Sequence, residues 1–159
     1  MKVVGIVGSS GSGKTTLIEK LIPIFVRRGL CVSTIKLTHH DLELDLPGKD
    51  SRRHREAGAR EVALIGPKRT QIFHEGALGL MDVLARLEPV DLVLVEGFIE
   101  AEIPKIEVYR HATGKPLRAR HRGDLLAVAA DAPIADLHCP FLPLDDAILI
   151  ADFLLDRVM

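Results

Sequence analysis

The residues best suited to chemistry are Gly8-Ser9-Ser10-Gly11-Ser12-Gly13-Lys14-Thr15, which fit G-x-x-x-x-G-K-[ST] in full. A loop of this kind wraps an anionic phosphate chain in backbone N–H groups, and only residues without bulky Cβ substituents permit the turn and the close approach. Gly8, Gly11 and Gly13 supply that freedom, with Ser10, Ser12 and Thr16 completing the loop and the first helical turn. The helix that follows aims its unpaired N–H groups and positive dipole end at the phosphates. Lys14 adds a point charge for the β- and γ-phosphates, and the Thr15 hydroxyl is placed to ligate Mg²⁺. With glycine at about 7% of residues, about one chain in 200 of this size matches by chance. The position between an apolar strand and an amphipathic helix tightens that further.

A phosphate loop needs a second acid for its magnesium shell, commonly at the end of a neighbouring apolar strand. Asp91-Leu92-Val93-Leu94-Val95-Glu96-Gly97 offers Glu96 at its carboxyl edge, where ligands of open α/β sheets gather, whereas Asp91 sits at the other end as a solvated boundary residue. Another apolar run, 125–130, ends at Asp131. That carboxylate suits the N1 and amino donors of guanine, or is simply a turn residue before Pro133. No Asn-Lys-x-Asp base-reading motif is present. His39-His40-Asp41 invite a transition-metal reading, but neighbours in an extended segment point to opposite faces, so a nucleotide-linked or partner contact is favoured there.

These residues need a scaffold. Residues 3–7, 31–37 and 92–95 are short apolar runs suited to a parallel sheet covered by helices, and 14–28, 77–87 and 145–158 read as helices between them. Leu17, Leu21, Ile24 and Phe25 form one apolar stripe, and Pro23 should kink or divide that helix. Glu61–Ile65 and Thr70–His74 flank Gly66-Pro67-Lys68-Arg69 as a hairpin. The alternation of Ile106 and Val108 with polar residues suggests a half-buried strand near an edge, and so a mixed sheet. Asp50 or Ser51 should cap a short helix through Gly58 whose arginines present charge to a ligand or partner. The expected fold is α/β: a three-layer P-loop sandwich, 1–159 as one domain, mostly parallel with an antiparallel hairpin insertion.

Composition bounds the rest. The 159 residues are 47% apolar, with 21 Lys+Arg, 22 Asp+Glu and a net charge of −1. That length builds a core without disulfides, and Cys31 and Cys139 lack metal or dithiol spacing. No stretch reads as a membrane span or leader, so a cytoplasmic protein is expected, and neutrality argues against a nucleic-acid partner. The charge is uneven: 105–122 holds six Lys/Arg and one acid, Glu107. That segment reads either as a solvated flexible loop or as an anion site.

The chain resembles the molybdopterin-guanine dinucleotide biosynthesis protein B (MobB) family. The resemblance rests on Ser10 to Leu17, Ile35-Lys36-Leu37-Thr38-His39-His40-Asp41, Pro47-Gly48-Lys49-Asp50-Ser51, Ala57-Gly58-Ala59, Leu94-Val95-Glu96-Gly97-Phe98 and Ala127-Val128-Ala129-Ala130-Asp131. It departs at Leu37 and Ala130, where some relatives carry His and Ser. It implies a GTP- and Mg²⁺-binding accessory protein, homodimeric and weakly hydrolytic. Such a protein assists the molybdenum cofactor guanylyltransferase MobA in attaching GMP to molybdopterin. Slow hydrolysis also follows from the absence of an obvious water-orienting residue or arginine finger; a partner or second subunit could supply an arginine, with Arg52, Arg53 and Arg55 as candidates. Two rivals are a small-metabolite kinase with Arg118, Arg120 and Arg122 as a lid, and a metal-inserting GTPase using His39 and His40.

Overall fold

A strand apolar on both faces is stable only where other elements cover both sides, and β1 (Lys2–Val7) is such a strand. A computed structural model describes residues 1–40, 42 and 48–158 of the chain. After β1 come α1 (Lys14–Arg27), β2 (Val32–Lys36), α2 (Asp50–Glu56), β3 (Glu61–Ile65), β4 (Thr70–His74) and α3 (Leu80–Leu84). Then follow β5 (Leu92–Glu96), β6 (Lys105–Tyr109), β7 (Leu125–Ala130), β8 (Phe141–Pro143) and α4 (Ala147–Val158). Two compact units result: Met1–Thr38 with the chain from Arg86 onward, and His39–Ala85.

The first unit is a six-stranded sheet in the order β2-β5-β1-β6-β7-β8. Every pairing in it is parallel, so the expected mixed sheet is not formed. Nor is β6 near an edge: it lies between β1 and β7, and its polar alternation reflects two buried charges, Lys105 and Glu107, instead of a solvated face. Helices α1 and α4 pack together on one side of the sheet. There Leu17, Leu21 and Phe25 of α1 and Ile150 and Leu154 of α4 meet Val4, Ile6, Leu94, Ile106 and Val108. Pro23 does not divide α1; it sits on the exposed side of the helix, where water can serve the carbonyl left without its usual donor. Asp146 begins α4 by accepting the N–H of Leu149 through Oδ1 at 2.9 Å.

Lys105 and Glu107 alternate with Ile106 and Val108 and so face the other side of the sheet. Lys105 Nζ donates to Ile99 O (3.2 Å), Ala101 O (2.6 Å) and Asp124 Oδ2 (2.5 Å). Glu107 accepts the N–H groups of Arg118 and Ala119, each at 2.7 Å. Both side chains are essentially inaccessible. Each buried charge thus fixes an irregular segment against the sheet, which answers the cost of burying it.

In the second unit β3 and β4 form the expected hairpin as a separate antiparallel sheet. Helix α2 starts after Lys49, whose side chain makes no cap, in place of the expected Asp50 or Ser51 cap. Its arginines are engaged within the unit: Arg52 with Glu56, Arg53 with Asp50, and Arg55 with Glu75 and over the Phe73 ring. Helix α3 is shorter than the expected 77–87, because Gly76 with its positive φ and Gly79 at the N-cap hold the chain out of the helix before Leu80.

Candidate functional site at the carboxyl edge of the sheet

The loop 8–13, Glu96 and Asp131 lie where parallel strands end. The loop 8–13 leaves β1 and enters α1 at Gly13, which has φ 101°. Gly8 has φ 137°, and a Cβ there would stand 2.3 Å from the Val108 carbonyl oxygen, so no other residue fits. No acid occupies the first turn of α1 and no side chain caps it, which leaves its positive end uncompensated by the chain. Ser12 Oγ is buried and lacks a hydrogen-bond partner among the described residues. Lys14 Nζ curls back to donate to Gly8 O (3.0 Å) and Ser9 O (2.9 Å). Burial holds its pKa below the ordinary lysine value; Glu96 opposes that, while Lys36, Arg118 and Lys115 add to it. The residues present fit an anionic phosphate chain: flexible glycines, a cation, an orphaned hydroxyl and an unfilled helix end.

Thr15 and Glu96 meet. Thr15 Oγ1 lies 3.0 and 3.1 Å from the two carboxylate oxygens of Glu96. The backbone around Glu96 is gripped on both sides, by Leu37 N–H donating to Glu96 O (2.9 Å) and Gly97 N–H donating to Ile6 O (3.1 Å). Gly97 and Phe98 both adopt positive φ, which turns the chain away as soon as the carboxylate is delivered. A hydroxyl and a carboxylate at this separation are hard oxygen donors of the kind Mg²⁺ takes.

Lys36 was not among the expected site residues. It is level with Glu96 in the β2–β5 register, and its Nζ stands 3.3 Å from both Glu96 Oε1 and Thr15 Oγ1. Its position at the end of β2, two residues before Thr38-His39-His40, was the available signal.

Asp131 follows β7, two strands from β1, and its Oδ1 accepts both the His111 N–H (3.1 Å) and the ring nitrogen Nδ1 (2.7 Å). The His111 side chain, then its backbone N–H, holds the carboxyl below its usual range. The ring of His111 in turn meets Tyr109 edge to face, with centroids 5.0 Å apart.

The basic segment 105–122 does two different jobs, and neither is that of a free loop. Lys105 is a core anchor, and Arg122 pairs with Asp124 and Glu100 while Arg120 donates to the Asp136 carbonyl. The expected lid of three arginines is therefore not available as a group. Lys115 and Arg110 instead turn to the phosphate loop, Lys115 Nζ lying 3.5 Å from Ser10 O. Of the second-unit candidates, Asp41 and Pro47 lie outside the described residues. Among the described residues no group of three or more His, Cys, Asp or Glu is arranged to hold a metal ion.

Residues 3–131 match the molybdopterin guanine dinucleotide synthesis protein B (MobB) family. The chain belongs to the MobB family. The molybdopterin-guanine dinucleotide biosynthesis adapter protein of Haemophilus influenzae is 42% identical over 156 residues, covering 96% of this chain and 86% of the relative. Its Escherichia coli counterpart is 39% identical over 154 residues, covering 92% and 87%. A solved molybdopterin-guanine biosynthesis protein B superposes with a TM-score of 0.77 at 30% identity, covering 98% of this chain and 99% of that one. The α/β architecture is thus that of MobB proteins, and no helix among the described residues is long and apolar enough to cross a membrane.

Proposed function

We propose that this MobB protein is a GTP-binding adapter in the conversion of molybdopterin to molybdopterin guanine dinucleotide. The observation that carries the reading is the pairing of Thr15 with Glu96 beside a phosphate loop whose Ser12 hydroxyl is buried without a partner among the described residues. The adapter role is supported by the names of the Haemophilus and Escherichia relatives. Gly8, Ser10, Gly11, Ser12, Gly13, Lys14, Thr15 and Thr16 would hold the phosphates, chiefly through backbone N–H groups. Thr15 and Glu96 would hold Mg²⁺, which supplies charge neutralisation on the phosphates. Asp131 would read guanine through Oδ2, since both of its contacts with His111 use Oδ1. We take the whole chain as one P-loop domain, working in the cytoplasm as a homodimer with the guanylyltransferase MobA, and hydrolysing GTP weakly.

Calorimetric titration with GTP, ATP and molybdopterin, with and without Mg²⁺, tests this. Magnesium-enhanced GTP binding that is tighter than ATP binding is expected. Equal or tighter ATP binding, or turnover of GTP at tens per second by the protein alone, contradicts the adapter reading.

A further inference from the structure

We propose that Arg110 is a phosphate-contacting residue of the same site, supplied by this chain itself from the segment that follows β6. The inference rests on the nucleotide reading above and goes beyond it, because the sequence pattern leaves any such arginine to a partner or a second subunit.

Topology brings Arg110 to the loop. Strand β6 runs parallel to β1 with Glu107 level with Val7, so the residues that follow the two strands emerge side by side at one edge. The guanidinium lies against Gly13: Nε and Nη2 are each 3.5 Å from the point where a Cβ on that residue would sit. Gly13 begins the helix whose positive end faces the phosphate position.

The side chain has donors to give. Arg120 and Arg122, farther along the same segment, spend theirs on Asp136, Asp124 and Glu100. The Arg110 guanidinium makes no hydrogen bond or ion pair among the described residues, although its position is well determined by its surroundings. Thr113 Oγ1 donates to the Arg110 carbonyl (2.7 Å), the next residue's N–H donates to Asp131, and buried Glu107 ties down Arg118 and Ala119. A guanidinium held by its backbone at both flanks and left with five unspent donors is suited to an anion that arrives from outside.

Charge balance leads to the same ligand class. Lys14, Lys36, Lys115 and Arg110 surround one short loop, with Glu96 as the carboxylate among them. Such a group of cations is self-repelling until a polyanion is shared between them, and a nucleoside di- or triphosphate is a polyanion of the right length. Arg110 therefore contacts the polyphosphate chain and not the base.

The test is calorimetry of the full chain with Mg²⁺ and GTP, GDP or GMP, for the parent, Arg110→Ala, Arg110→Lys and Lys14→Ala. Arg110→Ala is expected to weaken GTP and GDP about tenfold or more, with GMP changed less than twofold. Arg110→Lys should recover part of the loss. The apo melting temperature of Arg110→Ala should match the parent, because the guanidinium makes no hydrogen bond or ion pair among the described residues. If Arg110→Ala binds GTP within twofold of the parent while Lys14→Ala loses binding, the inference fails and the nucleotide reading stands. If the parent binds none of the three nucleotides, the nucleotide reading falls and this inference with it.

Discussion

Lys36 Nζ stands 3.3 Å from Glu96 Oε1 and equally far from Thr15 Oγ1, so a built-in cation sits against the hydrogen-bonded pair of oxygen donors. The lysine side chain is 58% exposed, and the attraction is therefore worth only about 0–1 kcal/mol. A divalent ion should displace it readily. Lys36→Met is predicted to lower the Mg²⁺ concentration for half-maximal enhancement of GTP binding by up to about fivefold. A higher Mg²⁺ requirement in the variant would mean that Lys36 serves the nucleotide and does not compete with the ion.

Removing the donors should act in the opposite direction. Glu96→Gln keeps a hydrogen-bond acceptor near Thr15 but loses the charge, and the Mg²⁺ response should weaken about 10- to 100-fold. Binding measured in EDTA should be unaffected or slightly improved. Titrations of Mg²⁺ at fixed GTP, followed by thermal shift, separate the two effects.

Lys14→Ala should abolish the GTP-induced rise in melting temperature. Among the described residues Lys14 donates to Gly8 O and Ser9 O, each bond contributing about 0.5–1.5 kcal/mol, so the apo variant should still fold. Equal GTP-induced shifts in variant and parent would contradict the assigned site.

Stability should depend on Asp124 more than on any surface charge. Asp124→Ala leaves the wholly buried Lys105 ammonium without its carboxylate, a loss of about 3–5 kcal/mol in urea unfolding. Lys105→Met should cost less, since it removes the buried charge as well. Burial raises the Asp124 pKa, but hydrogen bonds from Arg122 and Lys105 outweigh it and hold the carboxyl below its usual range. The sign follows: its contribution is complete above the unfolded-state pKa and lost as pH falls through the lowered folded value. The parent should therefore lose more stability on acidification than Lys105→Met, a comparison open to urea melts between neutral pH and pH 3.

Glu107→Ala exposes the second anchor. Two amides, of Arg118 and Ala119, lose their acceptor, at about 1–3 kcal/mol for each group left buried. Hydrogen exchange at those two amides should accelerate far more than at Leu94 or Val95. Uniform acceleration across the sheet would mean that Glu107 supports the core in general.

The phosphate loop and Glu96 were legible because their chemistry demands particular residue types at particular spacings, and the apolar run before Glu96 announces a buried strand. The hairpin was legible from its turn. What escaped was the meaning of charge inside apolar segments. Lys105 and Glu107 alternate with Ile106 and Val108 in a pattern identical to that of a half-solvated edge strand, and only the pairing of β6 between β1 and β7 shows that both faces are covered. Arg110 and Lys36 were hidden for a related reason. Their relation to the P-loop comes from strand order, which brings together residues far apart in the chain, and local periodicity carries no information about it. The three-residue strand β8 is too short for any periodic signal.

The order β2-β5-β1-β6 also sets a timetable for the newborn chain. β1 carries the P-loop, yet its two neighbours are β5 and β6, which end at Glu96 and Tyr109. At about 5–20 residues per second, the ribosome needs about 4–18 s to make the chain from the end of β1 to the end of β5. Through that interval β1 has no strand partner, and its apolar residues depend on α1 or a chaperone for cover. The site made first in sequence is thus among the last to be assembled in space, and chains that stall before β5 should be degraded instead of binding nucleotide.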